Sequence, residues 1–174
     1  DKIGRKAALT GMLLAILFGS FTVTRHLSRQ GWLAGQARQC ADVWLKRIQQ
    51  NKLHEAHQLH FPQPRRAATG ASLEKHYSGE ATLQEDFEGF YGVAPMKKLV
   101  EVAPDVTFEF VGRVAYRPDV SHDDVVLRYL ARYEEDGKAK QLKLDICMRR
   151  SPETDDGMGS WHVYEVMEAD PPQQ

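Results

Sequence analysis

The sequence predicts an α+β chain: an N-terminal transmembrane helix, then helices packed on a curved antiparallel sheet of about four strands, an α+β roll. Three observations predict it. An uncharged apolar run, Ala7–Thr24, lies near the start. From Gln36 to Tyr91 apolar residues recur at three- and four-residue spacing. From Asp105 on they alternate, and Asp136-Gly137 separates two alternating runs.

The first run reads AALTGMLLAILFGSFTVT, with Lys2, Arg5 and Lys6 before it and Arg25, His26 and Arg29 after it. At about 1.5 Å per residue it nearly crosses a hydrocarbon core of roughly 30 Å. A cleaved signal has a shorter apolar stretch and a small-x-small site. Phe21-Thr22-Val23-Thr24-Arg25 offers no such site, and Gly35-Gln36-Ala37 lies beyond Arg25 and Arg29. The expectation is a retained single-pass anchor through residues 7–24, against a cleaved signal or a buried core helix. Trp32 fits an interfacial aromatic. Lys2, Arg5 and Lys6 are balanced by Arg25, Arg29 and Arg38, but they cluster more tightly. That favours a domain outside the cytoplasm. The chain opens on Asp1, and upstream residues would change this vote.

Residues 1–29 therefore form a basic flank and anchor, 30–170 one globular domain, and 171–174 a disordered tail. Net charge is −1, with no basic excess for nucleic acid.

Gln36–Gln50 reads as a helix, with Ala37, Cys40, Ala41, Val43, Trp44, Leu45 and Ile48 as its apolar stripe. The stripe breaks phase at Asn51-Lys52 and resumes at Leu53, Ala56 and Leu59, so a tight helix–helix junction is expected there. Phe61-Pro62-Gln63-Pro64 ends the second helix. Ala71–Tyr77 and Ala81–Tyr91 are two further helices, the latter closed by Gly92, with Leu83, Phe87, Phe90 and Tyr91 on its apolar side. Pro95–Val100 supplies one more turn.

Val106, Phe108, Phe110, Val114 and Tyr116 give a first strand, with Gly112 a bulge or bend. Residues 117–124 form a turn-rich loop. A two-residue turn at Asp136-Gly137 sets Glu135 opposite Lys138. Tyr129 then faces Leu144, Leu127 Ile146, Val125 Met148 and Ala131 Leu142, all on one apolar face. Arg128 faces Asp145, Arg132 Gln141 and Val126 Cys147 on the other. Ser151–Ser160 is a polar loop. In the last strand Trp161, Val163, Glu165 and Met167 alternate with His162, Tyr164 and Val166.

The opening helix with Trp44 and Ile48, the Asn51-Lys52 break before Leu53 and Ala56, and the terminal Trp161-His162-Val163-Tyr164 strand carry a resemblance. Across residues 36–169 the outline resembles the nuclear transport factor 2-like family, the cystatin-like α+β roll. That resemblance implies a cone-shaped domain with a pocket between sheet and helices. It also implies isomerases, dehydratases, or non-catalytic binding and assembly modules, some on a membrane anchor. Fold does not choose among them.

Chemical signals are sparse. His54, His57 and His60 recur every three residues, but zinc helices favour a four-residue step, so a solvated helix face is expected. Asp145 is a candidate pocket base and Tyr129 a candidate hydroxyl donor, with ion pairing to Arg128 and core packing as the structural expectations. Cys40 and Cys147 fall on opposite sides of the sheet and should not pair. Ser121-His122-Asp123, with Asp119 and Asp124, reads as turn chemistry, because adjacent residues do not converge into a triad. Arg65-Arg66 reads as a solvated loop. There is no cofactor signature, no metal set and no convergent catalytic group. The leading expectation is a membrane-anchored extracytoplasmic binding or assembly module, with a protein partner or a second copy. The rivals are a small pocket enzyme using Asp145 or a histidine as base, and a non-catalytic small-ligand binder.

Overall fold

The computed structural model describes residues 2–67, 71–119, 121–151 and 161–169; the loop expected at 152–160 and the tail at 171–174 lie outside them. The chain divides into two units, Asp1–Gly35 and Gln36–Gln174, each described by itself.

The first unit is helical, and the same helix, α1 (Lys2–Gln49), continues into the second. No proline interrupts residues 24–36. Gly31 and Gly35 cost about 1 kcal/mol each relative to alanine, too little to break a long helix. In the first unit Leu13, Ile16, Leu17, Phe18 and Phe21 are exposed. Two of its hydroxyls are satisfied internally: Ser20 Oγ donates to the Ile16 carbonyl (2.7 Å) and Thr22 Oγ1 to the Phe18 carbonyl (2.9 Å). Such bonds remove polar hydrogens that hydrocarbon cannot accommodate. By length and composition this helix is long and apolar enough to cross a membrane.

In the second unit, Ala37, Cys40, Ala41, Trp44, Leu45 and Ile48 are buried along one stripe of α1. Val43, assigned to that stripe from spacing, is 48% exposed. At about 100° per residue it points away from the line through residues 37, 41, 44 and 48. The helix ends as the phase break predicts. Asn51 adopts φ +55°, its N–H donates to the Ile48 carbonyl (2.9 Å), and the Lys52 N–H donates to the Arg47 carbonyl (2.9 Å). This is a Schellman closure with asparagine in the left-handed position. Next come α2 (Leu53–Gln58) and a 3-10 turn (Gln63–Arg65), then α3 (Ala71–Gly79), α4 (Ala81–Gly92) and α5 (Met96–Val102).

Strands β1 (Thr107–Pro118), β2 (Asp123–Glu135), β3 (Lys138–Arg150) and β4 (Trp161–Glu168) form an open antiparallel sheet in that order. Asp136 (φ 53°) and Gly137 (φ 69°) both take positive φ, as a type I′ turn requires. The β2–β3 register is the predicted one at every pair named above. All eight residues of the apolar face are buried.

Two strands depart from simple alternation. In β1 the register slips between Phe110 and Gly112 and again between Arg113 and Ala115. The first slip fits the bulge expected at Gly112. Together they turn Val111 and Val114 out to solvent, so Val114 does not join Phe108 and Phe110 inside. In β4 a slip beside Tyr164 reverses the phase. Trp161 and Val163 are buried, but Val166, not Glu165 or Met167, continues that face.

The core lies between α1 and the sheet. The centre of the space where the resemblance implies a pocket is filled, with Trp44, Ile48, Leu144 and Ile146 all at 0% exposure. A cleft of about 430 Å³ opens toward β1, between Arg38, Asp42 and Gln49 of the helix and Phe108, Phe110 and Tyr129 of the sheet. Each such side chain contributes roughly 1.5–3 kcal/mol by leaving water.

Candidate functional site

The three histidines of the α2 region do not form a solvated face, which corrects the sequence expectation: His54 and His60 are half-buried. His57 is fully buried. Its ring packs edge-on against Phe61 and Phe87, with Phe90 and Tyr91 within about the same distance, while His54 packs on Tyr77 and Phe87. α3 and α4 supply most of this aromatic wall, so the burial arises from tertiary packing that α2 alone does not encode.

Hydrogen bonds assign the tautomer. Gln58 Nε2 donates to the Tyr77 hydroxyl (2.8 Å), and Gln58 Oε1 accepts from the Ala67 N–H (2.6 Å). The Tyr77 hydroxyl is then free to donate to His57 Nδ1 (2.7 Å). That places the imidazole hydrogen on Nε2, which has no hydrogen-bond partner among the described residues and lies 3.5 Å from Asp86 Oδ2. Burial, then the neighbouring His60 and His54, push His57 down to about 3, so it is neutral at physiological pH. Burial likewise pushes Tyr77 up to about 12.

The outer edge of β4 adjoins this cluster. Its first half is capped. The Val163 N–H donates to the Leu59 carbonyl (2.9 Å) and His60 Nδ1 to the Val163 carbonyl (2.6 Å). Arg66 donates to the carbonyls of Trp161 (2.6 Å) and Phe61 (2.9 Å). Arg66 is thus a staple between loop and strand rather than a solvated residue; Arg65 beside it is exposed. His162 is 6% exposed with Nδ1 unpartnered among the described residues. Burial, with His60 and Arg66 nearby, pushes it down to about 4.

Two clefts meet along this edge. One, of about 580 Å³, is lined by His60, Phe61, Arg65, Asp86 and His162. The other, of about 490 Å³, is lined by Phe90, Val93, Pro95, Met96 and the strand from Val166 to Glu168. Tyr164 and Glu165 line both, and the two clefts together make up the trough beside β4. Among the described residues no three His, Cys, Asp or Glu side chains are grouped to hold a metal ion.

The other sequence candidates lie elsewhere. Asp145 is on the outer face of the sheet, held by Arg128 through two bonds of 2.7 Å. Tyr129 is buried, and its hydroxyl donates to Asp42 Oδ1 (2.6 Å). Burial, then Asp42, push the Tyr129 hydroxyl well above the usual phenol range. Cys40 and Cys147 are free and buried, both thiols pushed up to about 11, chiefly by burial. Ser121 Oγ lies 2.8 Å from His122 Nδ1, while the Asp119 N–H closes the turn on the His122 carbonyl (2.8 Å). Asp124 is gripped by Arg149 through two bonds of 2.8 Å.

Sequence reading missed Gln58, Tyr77, Asp86 and His162. Only His162 left a usable trace, as a polar residue between the buried Trp161 and Val163. The chain matches no protein-family model, and no curated protein or solved structure matches it significantly.

Proposed function

We propose that this chain is a single-pass membrane-anchored binding or assembly module, with its α+β domain on the extracytoplasmic side. The observation that carries the reading is the filled centre of the domain: Trp44, Ile48, Leu144 and Ile146 are fully buried between helix and sheet. Recognition then falls to the outer surface, where the trough beside β4 combines polar and apolar groups along an exposed strand. The exposed apolar first unit supports the anchor. The finer architectural proposal is a nuclear transport factor 2-like roll whose pocket is closed by side chains. A long helix laid on a curved, sequentially ordered antiparallel sheet supports it.

The test is topological first. The chain should stay with membranes after alkaline carbonate washing. A Lys138→Cys variant, at the exposed hairpin tip, should react with a membrane-impermeant maleimide in intact cells. Release by carbonate overturns the anchor, and protection of the introduced thiol until lysis overturns the orientation. A domain that remains monomeric and retains no partner after cross-linking in native membranes overturns the module itself.

A further inference from the structure

The two edges of the sheet, β1 and β4, are not equally available. An edge strand presents unpaired N–H and C=O groups and accepts another strand unless it is blunted. β1 is blunted by two register slips and ends at Pro118. The first half of β4 is capped by Leu59, His60 and Arg66. Its second half, Tyr164–Glu168, has no backbone bond outside the sheet among the described residues. Beside that stretch runs the trough, with Phe90, Val93, Pro95 and Met96 as an apolar wall. Glu165 and Glu168 are exposed, Glu165 on the outer face of the sheet with Met167 and Glu168 on the face of Val166. Asp86 stands half-exposed at the far end of the trough, near the exposed Arg65.

We propose that the free half of β4 takes an extended segment of a partner protein as a fifth strand, with alternate apolar residues in the trough and a basic residue against Glu165. Main-chain pairing supplies affinity in such additions, and the alternate side chains supply specificity. Glu165 favours a basic residue opposite it, because like charges placed opposite one another across a ladder destabilise it. This assignment rests on the reading of the domain as a binding module.

The experiment uses the full chain in detergent micelles, with amide shifts read by NMR during titration with an alternating valine–lysine peptide. Shifts concentrated in Tyr164–Glu168 and Phe90–Met96 are expected. They should vanish when alternate peptide nitrogens are methylated. The Glu165→Lys variant, at an exposed position, should weaken binding about threefold or more. Shifts mapping to β1 or to the Arg128–Asp145 face, or undiminished binding of the methylated peptide, overturn the proposal. Dimerisation of the chain alone through the same residues also overturns it, by assigning the edge to a second copy. A benzophenone cross-linker at Met167 or at Arg132, in native membranes, separates the two levels. Adducts only from position 132 overturn the strand addition but leave the module reading standing. Adducts from neither overturn both.

Discussion

The β2–β3 hairpin and the cluster around His57 solve the same problem in opposite ways. Both hold several polar side chains against apolar packing. On the hairpin the charges sit on the outer face and pair in parallel: Arg128 with Asp145, Arg149 with Asp124, Arg132 with Glu109. In the cluster the polar groups run in series, Gln58 to Tyr77 to His57, and the last atom, Nε2, ends without a hydrogen bond among the described residues. Pairs in parallel fail one at a time. A buried series fails as a unit, because each lost partner strands the next group without water to replace it. Pairing thus decides the form: a directly paired carboxylate stays ionic even where it is buried, as Asp124 is, whereas the imidazole of His57, with no hydrogen bond to a carboxylate among the described residues, stays neutral.

Several variants would sharpen or break this contrast. The largest effect is expected on the hairpin's inner face, where charge plays no part. Leu144→Ala should lower unfolding free energy by about 2–5 kcal/mol in a denaturant titration. Next is the pH response of the cluster. The folded state holds His57 neutral to about 3 and His162 to about 4, whereas an unfolded histidine protonates near 6.5. The unfolded chain therefore binds more protons in this window. Stability should be full above pH 6.5 and fall as pH drops, by up to about 1.4 kcal/mol per pH unit per histidine. His57→Phe should roughly halve that slope between pH 6 and 4.5, whatever its effect at pH 7; an unchanged slope would show that His57 is already charged in the folded state. Tyr77→Phe leaves His57 Nδ1 and Gln58 Nε2 without a partner and should cost about 1–3 kcal/mol by thermal melting.

The outer face should respond less. Burial pushes the Asp124 carboxyl up, but the hydrogen bonds and charge of Arg149 outweigh it and hold it below the usual carboxylate range. Asp124→Asn should cost about 1 kcal/mol above pH 5, with the difference from the parent fading as pH falls toward the depressed value. Arg132→Ala removes a pair that is 59% and 57% exposed, and should change stability by less than about 0.5 kcal/mol. A large loss there would refute the idea that these pairs act independently.

The same contrast explains what the sequence makes legible. Hairpin register is local information: a two-residue turn at Asp136-Gly137 and a side-chain period of two determine every later pair, including Arg128 with Asp145. The helix junction at Asn51 is legible for the same reason, since a phase break and a left-handed-tolerant residue coincide there. The cluster is not local. α2 runs only from Leu53 to Gln58, and His57 is buried by rings from α3 and α4 whose positions no spacing rule supplies. β4 defeats the alternation rule for a third reason. Alternation continues unbroken in the sequence through Tyr164, but the strand slips by one residue against β3 there. The trough beside β4 depends on both hidden features, so the candidate site is largely illegible in the sequence although the fold is not.

That slip at Tyr164 lets one short strand serve two clients. Upstream, Trp161 and Val163 are committed to the interior; downstream, Glu165 and Met167 are released to the outside. The irregularity thus acts as a frame change written in three dimensions. A strand held in one uninterrupted phase would turn Glu165 to the interior side, and exchange a place of contact for a buried charge.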